Sequence, residues 1–407
     1  MKLQRLLKPA LGKYRWFSRS SLAYQAEPAA DSVALLDLTQ HLLKIGRDAP
    51  ANKIADAFFE RYEAAKPSDR AALLCALGET LGPDLSELAV AARDFLEAPS
   101  IAAAQRLHML SGSRRIDVIK QLNQARNGTA RLLRLRADLL EIKDQTPAIM
   151  ALDLDFVQLF TSWFNPGFLI LTRLDWATPA IVLERLVKYE AVHDLLGLDD
   201  LQRRIEPADR QCYAFFHPQI PLDPLIFVEV ALLQDVPTSI ASLLAAEREV
   251  VPPHLATTAA FYSISNCQTG LKGIAFGGHL IKRVVELLRK DFPALRDFVT
   301  LSPMPGFRQW REQSQLPALS LHSDAGPNNG RISDIASEQL RRDASRYLLQ
   351  TKDRQGRPLD PVARFHLGNG AELAGICLDA NQTPKGIAQS YGVMVNYRYD
   401  IDHLRVD

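Results

Sequence analysis

The segment from Phe261 to Phe307 constrains this chain more than any other, because strand, glycine-punctuated loop, helix and second strand follow one another without a break. The alternation in Phe261-Tyr262-Ser263-Ile264-Ser265 fits a half-buried strand. Gly270, Gly273, Gly277 and Gly278 then interrupt the chain. Leu280, Ile281, Val284, Val285, Leu287 and Leu288 follow with the i, i+4, i+7 spacing of one helix face. A glycine-rich turn entering a helix aims several backbone N–H groups at one spot, where the helix dipole favours an anion. The pattern is that of a phosphate-holding loop, although a plain tight turn uses the same glycines. The second strand, at Phe298-Val299, runs into Leu301-Ser302-Pro303-Met304-Pro305-Gly306. Prolines on both sides of Met304 fix the backbone there. Ser302 is thereby held at the C-terminal end of a strand, where α/β folds commonly place ligands.

The chain divides by pattern. From about Ser32 to Glu190 the periodicity is almost wholly helical; Leu132, Leu135, Leu139 and Ile142, for example, fall on one stripe. Pro67-Ser68-Asp69 and Gly82-Pro83-Asp84 read as breaks with an N-cap at each restart, and Trp163–Gly167 as a closing turn with core aromatics. Strand signals begin near Gln211, with Cys212–His217 and Leu225–Leu233 as short apolar runs bounded by prolines. Pro317–Asp334 reads as a surface loop before a helix from about Ile335 to Gln350. The expected organisation is a basic arm over 1–31, a helical domain over 32–204 and an α/β domain over 205–407. The fold class is α+β, with a mixed central sheet in the second domain.

Bulk properties exclude several classes. With 407 residues, 47% hydrophobic and 23% charged, the composition is that of a globular protein with ample core. A net charge of +1 gives no general attraction to nucleic acid or membranes, and no apolar run approaches the roughly 20 residues that span a bilayer. Cys75, Cys212, Cys267 and Cys377 are scattered, without metal-ligand or disulfide spacing, and read as buried thiols; Cys267 alone stands near the loop, a position that raises the expectation of sensitivity to alkylation. The first acidic residue is Glu27, after Lys2, Arg5, Lys8, Lys13, Arg15 and Arg19. That arm fits a basic surface tail of a cytoplasmic protein or, alternatively, a presequence for the mitochondrial matrix.

At the loop the sequence also resembles a known family. Lys272-Gly273-Ile274-Ala275-Phe276-Gly277 is similar to a relaxed form of the GNAT acyl-CoA loop, Arg/Gln-x-x-Gly-x-Gly/Ala, whose amides bind the coenzyme A pyrophosphate. The wider segment resembles the malonyl-CoA decarboxylase family. Similar blocks stand in the family's order at Leu135–Glu141, Trp163–Leu169, Leu301–Phe307, Phe365–Leu373 and Asn396–Tyr399. Ala275 stands where the strict pattern has glycine and some members have glutamate, and Lys272 replaces Arg or Gln.

The resemblance implies a GNAT-like catalytic domain in which Lys272, Gly273, Ile274, Ala275, Phe276, Gly277 and Gly278 bind the diphosphate. It places the catalytic serine at Ser302 and the catalytic histidine at His366. Malonyl-CoA and acetyl-CoA become the expected partners, and a homo-oligomer, dimer or tetramer, the expected assembly. Removing carbon dioxide from a malonyl thioester leaves an enolate, so preorganised donors must hold its oxygen and an acid must protonate its carbon. No metal and no separate cofactor are expected, since the thioester is itself the electron sink. Asn396 and Tyr397 are further pocket candidates, Ser263 and Ser265 the second-ranked serines. A neutral His279, opening the helix after the loop, is expected to make a local hydrogen bond. The rival readings are an acyltransferase of the same fold and a non-catalytic acyl-CoA sensor.

Overall fold

A computed structural model describes residues 30–44, 51–317 and 334–400. The basic arm, apart from its end, and the loop read over Pro317–Asp334, apart from its ends, lie outside the described residues. The N-terminal part is helical, from Ala30–Lys44 through Gly128–Glu141 to Pro147–Trp163. Its local logic follows from the sequence: Asp84 caps Leu85–Glu97 by accepting from the N–H groups of Ser86 and Glu87, and Leu132, Leu135 and Leu139 are buried. At Pro67–Thr80 the cap position is Lys66 instead, with proline in the first turn, so Ser68 and Asp69 lie inside the helix.

Eight strands then form one mixed sheet: β1 (Ile170–Leu174), β2 (Arg210–Phe216), β3 (Ile226–Leu233), β4 (Thr258–Asn266), β5 (Asp297–Thr300), β6 (Ser302–Pro303), β7 (Ala371–Cys377) and β8 (Met394–Tyr399). β1 to β4 pair antiparallel in sequence order, β4 and β5 are parallel, and β8 takes β5 and β6 on one side and β7 on the other. The molecule is thus α+β, helical first and mixed-sheet second. The sheet begins earlier than the strand signals near Gln211 indicate, since β1 pairs with β2 within the stretch read as helical. β1 is a largely exposed edge containing Thr172 and Arg173, so it carries no clear alternation. Helices Ala180–Tyr189 and Leu198–Ile205 also belong to the sheet region: Leu186 and Leu201 pack with Cys212, Ala214 and Phe227.

On the opposite face lies helix Gly277–Asp291, whose Leu280, Ile281, Val284, Val285 and Leu288 enter the main core. That core is continuous with the N-terminal helices, joining Phe58, Phe156 and Leu133 to Val228 and Phe261. Among the described residues no helix is long and apolar enough to cross a membrane.

The feature that positions the site is a gap in the sheet. β4 is nine residues long, but its pairing with β5 stops at Phe261–Thr300. Beyond that point the chain of β5 turns away through Leu301 and re-pairs with β8 as β6. The C-terminal half of β4 therefore faces an opening.

Candidate active site

Into that opening project Ser302 from β6 and His366 from helix Pro361–Gly368. The helix starts with an Asp-Pro pair: Asp360 accepts the N–H groups of Val362 (2.9 Å) and Ala363 (2.8 Å), and Pro361 occupies the first helical position. Ser302 Oγ lies 3.1 Å from His366 Nε2, and both residues are buried. The serine also donates to Thr300 Oγ1 at 2.8 Å, and that oxygen accepts the Tyr397 N–H at 3.1 Å. On the far side of the ring, Nδ1 is 2.8 Å from Tyr399 Oη, while Tyr397 stacks on its face at 4.7 Å between centroids. With Ser302 donating to Thr300, Nε2–H donates to the serine and the Tyr399 hydroxyl donates to Nδ1. A hydroxyl–imidazole–phenol chain results.

Burial pushes the His366 imidazole down to about 3, so the ring is neutral near pH 7. Burial raises the Tyr399 phenol, which stays protonated. The unfolded chain protonates this histidine near its ordinary 6.5, so between the two values the unfolded state holds the extra proton. The stability of burying the neutral ring is fully present above pH 6.5 and is lost as pH falls toward 3. Denaturant unfolding of wild type and His366→Asn at pH 7, 6 and 5 should therefore show wild type losing about 1.4 kcal/mol more per pH unit at the acid end. A stability difference independent of pH would show that the ring is not desolvated.

The pair opens on a cavity of about 310 Å³, lined by Val192, Phe261, Tyr262, Ile264, Asn266, Pro303, Pro361, Val362 and Phe365 as well as Ser302 and His366. Its walls are mainly apolar, which strengthens any electrostatic contact made inside. The second-ranked serines face Glu190 rather than the cavity: Ser263 Oγ is 2.8 Å from both of its carboxylate oxygens, and Ser265 Oγ is 3.3 Å from one of them.

The glycine loop runs from the 3₁₀ turn Thr269–Leu271 into helix Gly277–Asp291, so Gly277 and Gly278 form the first helical turn. Among the described residues no side chain caps this helix end, leaving its first N–H groups for another acceptor. Gly273 has φ +86°, a conformation natural to glycine, with open space where a side chain would be. Lys272 and Ala275 are exposed, whereas Phe276 is 3% exposed and belongs to the core. Gly277 and Gly278 are small for packing reasons. A Cβ on Gly277 would stand 2.8 Å from the Phe365 ring, and one on Gly278 would stand 1.9 Å from Asn369 Oδ1. The loop helix thus abuts the helix that carries His366, and Phe365 belongs to both the contact and the cavity.

Other expectations sort by burial. Asn396 is buried and donates to the carbonyls of Thr300 and Pro237 at 2.8 and 3.1 Å, holding strands together rather than lining the cavity. His279 stacks on Phe215 at 6.0 Å, and burial lowers its pKa. Cys267 is buried with its thiol pKa raised by desolvation, which argues against the alkylation sensitivity that its sequence position raised. Tyr399 and Thr300 are the site residues that sequence reasoning missed. The alternation of a strand puts Tyr397 and Tyr399 on one face, which was a usable signal for the first; nothing marked the second.

A buried hydroxyl–imidazole–phenol chain on the wall of a mainly apolar cavity, near a helix end that no side chain caps among the described residues, is suited to moving protons on a bound ligand. Two family models cover most of the chain: the malonyl-CoA decarboxylase N-terminal domain over residues 81–164 and the malonyl-CoA decarboxylase C-terminal domain over residues 167–407. The mitochondrial malonyl-CoA decarboxylase of Anser anser anser is 33% identical over 401 residues, covering 87% of this chain and 79% of the relative. A crystal structure of malonyl-CoA decarboxylase from Rhodopseudomonas palustris is 44% identical with a TM-score of 0.84, covering 92% of this chain and 95% of that one. The corresponding structure from Agrobacterium vitis is 41% identical, also with a TM-score of 0.84, covering 91% and 94%. The chain belongs to the malonyl-CoA decarboxylase family, and it is a decarboxylase.

Proposed function

We propose that this enzyme converts malonyl-CoA to acetyl-CoA and carbon dioxide at the Ser302–His366 pair. The observation that carries the reading is that pair itself, 3.1 Å apart and buried, opening on an apolar cavity. The coenzyme A diphosphate is bound by Lys272 and the N–H groups from Gly273 to Gly278, where the uncapped helix end favours an anion.

The malonyl carboxylate enters beside His366, and its negative charge raises the affinity of the ring for a proton. Imidazolium then donates Nδ1–H to Tyr399, whose hydroxyl serves as donor or acceptor and so suits both states of the ring. The electron pair of the C2–C3 bond, which joins C2 to the departing carboxylate, moves into the thioester, giving carbon dioxide and an enolate. Ser302 donates its hydroxyl proton in a hydrogen bond to the enolate oxygen. His366 Nε2–H protonates C2, the neutral ring returns, and solvent supplies the next proton when product leaves.

The test incubates purified protein with malonyl-CoA, with and without an amine acceptor. Acetyl-CoA and carbon dioxide without acceptor are expected. Transfer only with acceptor, or binding without turnover, overturns the reading in favour of an acyltransferase or a sensor.

A loop variant checks the diphosphate assignment. Gly273→Glu adds charge repulsion at the phosphates and also strains a backbone at φ +86°. Gly273→Ala carries the strain, ~1–3 kcal/mol, without the charge. KM for malonyl-CoA should rise much more in the glutamate variant than in the alanine variant. Equal KM values in the two folded variants would remove this loop from diphosphate binding.

A further inference from the structure

We propose that the segment from Glu190 to Asp194 is a fixed wall of the substrate cavity, and that Val192 on it limits the size of the substituent tolerated at C2 of the acyl group. The inference rests on the reading of this cavity as the malonyl thioester site. Val192 lines the same cavity as Ser302 and His366, the cavity in which that reading places C2.

The segment joins helices Ala180–Tyr189 and Leu198–Ile205 and has no helix or strand of its own. Its backbone is held instead by side chains from three directions. Glu190 folds back and accepts the N–H groups of Val192 at 2.8 Å and His193 at 2.9 Å with one carboxylate oxygen. Ser263 and Ser265 of β4 hold that carboxylate, and Ser265 Oγ also accepts the Ala191 N–H at 3.2 Å. Lys385, from helix Pro384–Ser390, donates to the carbonyls of Ala191 at 2.8 Å and Val192 at 3.3 Å. Arg204 donates to the carbonyls of His193 at 2.9 Å and Asp194 at 3.2 Å.

A loop with so many of its polar groups bound cannot swing aside for a larger ligand at little cost. Val192 adds a β-branched side chain with few rotamers to that rigid backbone. An alkyl group on C2 would compete with its methyls for space. Glu190 is accordingly a positioning residue, and Val192 a specificity-determining one. The arrangement also accounts for two buried serines beside the site that the decarboxylation chemistry leaves idle.

The experiment measures kcat/KM for malonyl-CoA and for 2-methylmalonyl-CoA with wild type, Val192→Ala, Val192→Phe and Glu190→Gln. One methyl of space in a hydrophobic pocket changes discrimination by roughly tenfold or more. Val192→Ala should therefore raise the ratio of 2-methylmalonyl to malonyl turnover by about tenfold and Val192→Phe should lower it, with Glu190→Gln moving it in the alanine direction. Ratios within about twofold of wild type in both folded Val192 variants overturn the wall, since a pocket contact worth a methyl would have exceeded that. Absence of wild-type turnover of malonyl-CoA overturns the functional reading along with it, which separates the two failures.

Discussion

His366→Asn is expected to lower kcat for malonyl-CoA by ~10²–10⁴-fold, the range for removal of a positioned proton donor. Asparagine keeps a polar group near Ser302 Oγ and Tyr399 Oη but cannot carry a proton to carbon near neutral pH. Ser302→Ala removes the hydroxyl that bridges His366 Nε2 and Thr300 Oγ1. Its loss should depress kcat more than it raises KM, because the hydroxyl matters most as charge moves onto the thioester oxygen. The two side chains touch and act on one intermediate, so the double variant should be little worse than the poorer single one. Ser263→Ala and Ser265→Ala are expected to cost much less, since both hydroxyls are engaged with Glu190. Near-normal kcat in His366→Asn would defeat the proton-donor assignment. Loss of turnover in either control, with Ser302→Ala close to wild type, would show that the reacting serine has been misplaced.

What could be read in the sequence follows the range of the interactions involved. The helix after the glycines, the buried strands β2 to β4 and the helix starting at Asp334 were legible because periodicity and flanking breaker residues are local signals. β1 was missed because an exposed edge strand has no buried face to imprint an alternation. Ser302 and His366 are 64 residues apart, and their meeting depends on β5 turning away from β4 and on Asp360 starting a helix at the right place. Neither single residue type nor spacing encodes that; the family blocks supplied it. The same limit hid Thr300 and the latch on Glu190, both made of common hydroxyls and a carboxylate that become distinctive only when three distant segments converge. Gly277 and Gly278 show the converse. Sequence marked them as ligand-binding glycines, and the structure adds a packing requirement against Phe365 and Asn369 that sequence could not show.

Gly270→Ala and Arg136→Met are expected to raise KM several-fold more than they lower kcat, although neither residue lines the cavity. A Cβ on Gly270 would stand 2.1 Å from the Leu133 carbonyl oxygen, which belongs to the backbone of helix Gly128–Glu141 and cannot yield as a flexible side chain would. The 3₁₀ turn must then move away from that helix, at a cost of ~1–3 kcal/mol typical of overpacking. Arg136, 1% exposed on the same helix, donates to the Gly270 carbonyl at 2.6 Å and to Asp153 at 2.9 Å. Methionine fills similar space but leaves the buried carbonyl without its donor, a loss of ~1–3 kcal/mol. Lysine keeps the charge without the planar fork that reaches both acceptors, so Arg136→Lys should restore KM only in part. Both contacts fix the chain two residues before Lys272, so their loss disorders the start of the diphosphate loop while the Ser302–His366 pair, anchored on β6 and its own helix, keeps its geometry. Steady-state kinetics on variants with a cooperative thermal transition provides the check. A wild-type KM in both would show that the N-terminal helices contribute stability alone; a fall in kcat at unchanged KM would move the effect from the loop to the reacting pair.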